Sequence, residues 1–174
     1  DVSRKILPIK HGVHFIPVIH QGNTQGSEEE VETIKNLAQK LIHTPYWPKI
    51  EGGEKRLIGW SDFLFVAPYN YQVNLLKAEL SVEAKVGSVD KFQGQEAPIV
   101  FLSMCASDAS ESPRGIEFLL SKNRLNVAIS RAQSLVIVVG SPDLAKSSAN
   151  NLKQMKLFNF YSAIVEIGKN SLIN

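Results

Sequence analysis

Residues 135–139, Leu-Val-Ile-Val-Val, are five consecutive apolar positions with no polar interruption. A strand wet on one face alternates apolar with polar residues, so an unbroken run has to be covered on both faces. Phe63 to Ala67, ended by Pro68, has the same character, and Ile99 to Met104 is nearly as apolar. Between these runs the period changes. Val31, Ile34, Leu37, Ala38, Leu41 and Ile42 recur at helical spacing, which predicts a helix from about Glu28 to His43. Ser27-Glu28-Glu29-Glu30 reads as a capping box at its start, the serine accepting from the third helical amide and Glu30 reaching back. Helical patterns return from Tyr69 to Leu80 and near Lys122 to Ala132, with a short strand, Lys85 to Val89, between them. Phe15 to Ile19 is expected as a strand that Pro17 confines to a sheet edge. The turn-rich stretch from Thr44 to Trp60 reads as a loop or small hairpin. Leu152 to Tyr161 reads as a closing helix, and Ile164 to Ile167 as an edge strand. Buried strands alternating with helices define a three-layer α/β fold, with a mostly parallel central sheet of five or six strands flanked by helices.

At 174 residues and 44% hydrophobic content the chain is long enough for one core and one domain. It opens on Asp1 rather than Met, and Asp1 to Lys10 is neither a secretory leader nor the start of a fold. We therefore expect a piece of a longer protein, with 1–12 as a linker from a preceding domain and 13–174 as the domain itself. No apolar run approaches the roughly 18 residues of a membrane span. The single cysteine, Cys105, excludes an internal disulfide and an all-cysteine metal cage, which suits a reducing compartment and a cytoplasmic placement. The net charge of +2 comes from interleaved acids and bases, so charge alone neither supports nor excludes nucleic-acid binding.

Open parallel sheets collect function in loops at the carboxyl ends of their strands, and three segments are expected there. The first, Val66-Ala67-Pro68-Tyr69-Asn70-Tyr71-Gln72, leaves a strand and enters a helix. The second, Ser88 to Glu96, places six polar or charged residues and Gly94 around Phe92, just before an apolar strand. Gly94 lets backbone approach a phosphate, Gln95 and Glu96 suit phosphate and ribose hydroxyls, and Phe92 is expected to pack. The third, Asn123 to Gln133, carries Arg124 and Arg131 seven residues apart, so both leave nearly the same helix face. No acid lies between Lys122 and Gln133 to neutralise them, and guanidinium groups held this way suit phosphate oxygens. An acid elsewhere in the chain is the ordinary partner for such an arginine, more so for Arg124 than for Arg131.

In this order the three segments resemble motifs IV, V and VI of superfamily 1B helicases, the group of the nonsense-mediated decay RNA helicase and the nuclease-helicases. Gly22 to Val31 resembles the stretch that opens the second motor domain there. The likeness covers most of the chain. It looks closest to bacterial proteins with a RecB-like nuclease fused ahead of the helicase, through Glu96-Ala97-Pro98 and Arg114-Gly115-Ile116-Glu117-Phe118. The resemblance implies a RecA-like P-loop NTPase fold and a C-terminal motor domain working with an N-terminal RecA-like domain of the same chain. ATP and Mg²⁺ would be held mainly by that other domain, and the strand would be single-stranded nucleic acid, DNA by preference. Arg131 would be the arginine finger; Arg124, Gly94, Gln95, Glu96 and Tyr69 would face the nucleotide; Ser88, Asp90 and Gln72 would face the strand; no residue would ligate a resident metal. Gln133 departs from the family, which usually has Lys or Arg after Ser-Arg-Ala, and this bears on a contact beyond the finger.

No GxxxxGK[ST] phosphate loop occurs, since Gly168-Lys169-Asn170 lacks the earlier glycine and the hydroxyl, so the chain alone is expected to be inactive as an ATPase. Two other readings compete. Asp62 with Glu83 and Lys85 imitates the Asp and Glu-x-Lys of a RecB-like metal-dependent nuclease. A doubly wound sheet could also serve as a non-catalytic nucleotide-binding or interaction module, because fold alone does not fix function.

Overall fold

The computed structural model describes residues 12–46, 54–146 and 148–170. Its centre is a five-stranded, all-parallel sheet built from β1 (Gly12–Pro17), β4 (Phe63–Val66), β5 (Lys85–Gly87), β6 (Ala97–Ser103) and β7 (Ala132–Gly140), in the order β1-β7-β6-β4-β5. The expected three-layer α/β architecture is present. β1 lies at an edge, as Pro17 at its last position requires, because the ring removes a ladder donor. The turn-rich stretch is a small antiparallel pair, β2 (Pro45–Tyr46) with β3 (Arg56–Leu57), joined through residues outside the described ones.

Helices cover both faces. α1 (Glu28–Leu41) and α2 (Asn70–Glu79) pack one side, while α3 (Ile116–Leu119), α4 (Lys122–Ser130) and α5 (Leu152–Asn170) pack the other. Strand alternation divides the core accordingly. On β4 and β6, Phe63, Phe65, Ile99 and Phe101 join Val31, Ile34 and Leu76, while Leu64, Val66, Val100 and Leu102 join Leu125, Phe158 and Tyr161. Phe65 and Phe101 stack at 5.1 Å between centroids, filling the α1/α2 side.

Three local expectations change. Ser27 caps α1 by accepting from the Glu30 amide, but Glu30 does not reach back: its carboxylate accepts from Ser103 Oγ (2.5 Å) and the Cys105 amide (2.9 Å), while the Ser27 amide donates to Gln72 Oε1 (2.8 Å). α4 stops at Ser130 so that Ala132 can enter β7. Residues 164–167 are not a strand but the continuation of α5, since Phe158, Tyr161, Ile164, Val165 and Gly168 fall at helical spacing on the buried face. That face seats α5 on β1, where a Cβ at Gly168 would lie 2.4 Å from the Phe15 nitrogen. The Gly168 of the incomplete phosphate loop is thus a packing contact. Among the described residues no helix is long and apolar enough to cross a membrane.

Candidate functional site

The second and third segments both run from the carboxyl edge of the sheet to its amino edge, and their far ends, Gly94–Glu96 and Arg131, meet at the amino edge. The connection from β5 to β6 passes over β4 in nine residues, 88–96, so it begins beside the carboxyl end of β5 and ends where β6 starts. A single turn of 3-10 helix (Val89–Phe92) makes the crossing, anchored by Phe92, which is 1% exposed. Gly94 turns the chain at φ +77°, with open space where a Cβ would stand. Only glycine adopts that conformation without strain. The Ala97 amide then donates to the Arg131 carbonyl (3.0 Å), and Ala97 pairs in register with Ala132.

Gly94, Gln95, Glu96 and Arg131 therefore share one rim. Gly94, Gln95 and Glu96 are exposed, and Arg131 is half-buried at the carboxyl terminus of α4. Its Nε donates to Val127 O (3.3 Å) and its Nη2 to Ser130 Oγ (3.3 Å), which aligns the side chain along the last turn of the helix. Among the described residues neither Arg131 nor Glu96 has an ion-pair partner. A cation and an anion on neighbouring segments, both without counter-charge, form an open polar rim suited to a ligand carrying phosphates and hydroxyls.

Arg124 belongs elsewhere. It leaves the same face of α4 as Arg131, but two turns, about 10 Å, toward the carboxyl edge. Its Nη2 pairs with Asp90 Oδ2 at 3.1 Å, and its guanidinium lies 4.6 Å from the Phe118 ring centre. Tyr69 is at this edge too. It follows β4, is 8% exposed, packs on Phe118 at 5.4 Å, and its hydroxyl bonds Ser112. The expected placement of Tyr69 and Arg124 beside Gly94–Glu96 is thus not what the fold brings together. The two groups stand at opposite ends of α4, whose two turns between Arg124 and Arg131 amount to about 10 Å.

Gln72 is also corrected. Its side chain is fully buried, with Oε1 accepting from the Ser27 amide and Nε2 donating to Ser27 O (3.2 Å) and Ser103 Oγ (2.9 Å). It ties α2 to α1 and β6 and has no polar atom left for a strand. Ser88 and Asp90 do stand at the carboxyl edge, just past β5, with Ser88 half-buried and Asp90 exposed.

The nuclease set does not assemble. Asp62 is gripped by Arg56 through both oxygens (2.7 and 2.6 Å) and accepts from the Gly59 amide (2.8 Å). The Arg56 hydrogen bonds hold its carboxyl below the usual range, against the opposing effect of burial. Glu83 is exposed on the turn before β5. Among the described residues no group of three His, Cys, Asp or Glu side chains is placed to hold a metal ion.

Sequence reasoning missed a buried polar network at the carboxyl edge. His20 Nε2 donates to Glu30 Oε1 (2.9 Å), and in the neutral ring its Nδ1 accepts from Ser107 Oγ (2.7 Å), whose oxygen also accepts from the Asn23 amide (3.0 Å). Burial, reinforced by the Glu30 charge, pushes the Cys105 thiol and the Tyr161 phenol well above their ordinary pKa values. Periodicity carries no signal for such a network, since Glu30 looks like any acid in a first helical turn.

This architecture, a parallel α/β sheet with an open polar rim at one end, has a family. Residues 17–143 match the family model described as an AAA domain, and the chain belongs to that family. Most of the relatives carry helicase names, in keeping with superfamily 1. The chain is 36% identical over 153 residues to "Probable RNA helicase armi" of Drosophila melanogaster, covering 82% of this chain and 12% of that protein. It is 36% identical over 107 residues to DNA polymerase alpha-associated DNA helicase A of Schizosaccharomyces pombe, covering 60% and 16%. A third relative, the Regulator of nonsense transcripts 1 homolog of Drosophila melanogaster, is 36% identical over 111 residues, covering 63% and 9%. The chain thus spans less than a fifth of the length of each of these curated relatives.

Proposed function

We propose that this chain is the second, C-terminal RecA-like motor domain of an ATP-dependent superfamily 1 helicase, and that Arg131 is the finger it extends to ATP held by an N-terminal RecA-like domain of the same protein. One observation carries the reading: Arg131 and Glu96 share the amino rim, in adjoining segments, without counter-charges among the described residues. A structural arginine would be expected to find an acid, as Arg56 and Arg124 do.

The residues present fit a nucleotide approaching from outside. Gly94 leaves its backbone open, Gln95 and Glu96 offer an amide and a carboxylate for phosphate and ribose hydroxyls, and Arg131 offers a planar fork for terminal phosphate oxygens. The nucleotide supplies a phosphoryl group whose transfer to water drives the motor. Arg131 neutralises charge that develops on the transferred group, a contribution of about 10³ to 10⁵ in rate for such fingers. Mg²⁺ and the phosphate-binding loop belong to the other domain, which is why the isolated chain should not hydrolyse ATP. Closing and opening of the cleft would move the two domains along single-stranded nucleic acid, read here as DNA, past the opposite edge where Ser88 and Asp90 stand. The stretches around Glu96-Ala97-Pro98 and Arg114 to Phe118 support grouping the protein with nuclease-helicase fusions.

The test is Arg131→Ala in the full-length protein. ATP turnover should fall at least about a thousandfold while ATP affinity and the melting temperature stay near wild type. Turnover at the wild-type rate would reject the assignment.

A further inference from the structure

Two guanidinium groups lie over the Phe118 ring. The Arg114 carbon Cζ stands 3.7 Å from its ring centre and that of Arg124 at 4.6 Å, with Tyr69 on the same ring. Both distances fall well inside the range in which a cation is held by a ring face. The two arginines differ in what else they touch. Arg124 is neutralised by Asp90, whereas Arg114 is exposed and, among the described residues, has no ion-pair partner. Of the acids near it in sequence, Asp108 accepts from the Ser110 amide and hydroxyl and Glu117 pairs with Lys153, while Glu111, exposed three residues before it, forms no ion pair with it among the described residues. Of the two cations on the ring, Arg124 has an acid partner and Arg114 has none among the described residues.

The position of Arg114 is fixed from below. Its amide donates to the Tyr69 hydroxyl (3.4 Å), and that hydroxyl bonds buried Ser112. The loop after β6 is thereby tied to the turn after β4, at the carboxyl edge. Through Phe118, Arg124 and Asp90, the guanidinium adjoins the Ser88–Asp90 segment. Ring stacking restrains the plane of the fork, so less side-chain freedom is lost when it takes up a ligand.

We propose that Arg114 is a contact for the sugar-phosphate backbone of single-stranded nucleic acid, with Phe118 as the platform that presents it and Asp90 as the acid that reserves Arg124 for structure. This rests on the helicase reading of the carboxyl edge and adds to it a residue on a different loop from Ser88 and Asp90. A phosphate contact of this kind reads no base, so its signature is electrostatic.

The experiment is fluorescence anisotropy of a labelled oligo-dT and an oligo-rU with the full-length protein, over a series of salt concentrations. Arg114→Ala should bind roughly tenfold more weakly at low salt. It should also lower the slope of log affinity against log salt by about 0.7, the value for one phosphate on a single strand. Arg114→Lys should restore the slope, and both variants should melt at the wild-type temperature because the side chain is exposed. Wild-type affinity and slope in Arg114→Ala would overturn this inference and leave the motor reading standing. Failure of the wild-type protein itself to bind either oligonucleotide would overturn both.

Discussion

Asp62 shows how one residue's surroundings set its role. An Asp ahead of a strand, with a Glu-x-Lys downstream, is chemically suited to metal binding, but its oxygens are already occupied by Arg56 and the Gly59 amide. Because Arg56 lowers the folded-state pKa of Asp62, the pair's contribution is fully present above the unfolded carboxylate value near 4 and is lost as pH falls through the lower folded value. Arg56→Met should therefore melt earlier than wild type at pH 7, by about 1 to 2 kcal/mol given the half-exposed arginine, and the gap should narrow as pH drops below about 4. Thermal denaturation across pH 2.5 to 7 measures this, and a gap independent of pH would contradict it. That Arg131 has no acid close to it in sequence was legible at this scale, because its helix is acid-free from Lys122 to Gln133. The burial of Tyr69 and Gln72 was not, since sequence does not say which polar side chain turns inward.

Elements were legible wherever their period was clean. The helix read from Glu28 and the apolar strands are all present, with ends shifted by a few residues as tertiary contacts decide them. The tail was misread because 164–167 is apolar and short, and such a segment cannot be told from a helix turn by periodicity alone. Its neighbour Gly168 settles the matter, since a Cβ there would clash with the backbone of β1. Gly168→Ala would gain about 1 kcal/mol of helix propensity but drive a methyl into the Phe15 backbone, an overpacking cost of about 1 to 3 kcal/mol. We expect a net loss, read as a lower melting temperature; an increase would mean that α5 can lift from β1 freely.

Across the whole molecule, the Arg131 rim lies at the amino edge of the sheet and the Ser88, Asp90 and Arg114 group at the carboxyl edge, so the proposed nucleotide and strand contacts fall at opposite ends of it. Behind the second edge, Glu30 joins α1, the loop after β1 and the end of β6 through His20, Ser103 and the Cys105 amide. It has 0% exposure, so its carboxylate is held entirely by donors. Glu30→Gln would set an amide N–H against one of those donors, and we expect a loss of about 2 to 4 kcal/mol in global stability by chemical denaturation. A change within 0.5 kcal/mol would show that the network is dispensable. Sequence by itself determined the layered parallel fold, the buried Phe92 and the family resemblance, because apolar period and motif order are local properties that survive in one dimension. Only the tertiary structure decided which edge each motif occupies and which arginine is left without a counter-charge among the described residues, because a nine-residue crossover carries the chain from one end of the sheet to the other and counter-charges come from segments distant in sequence.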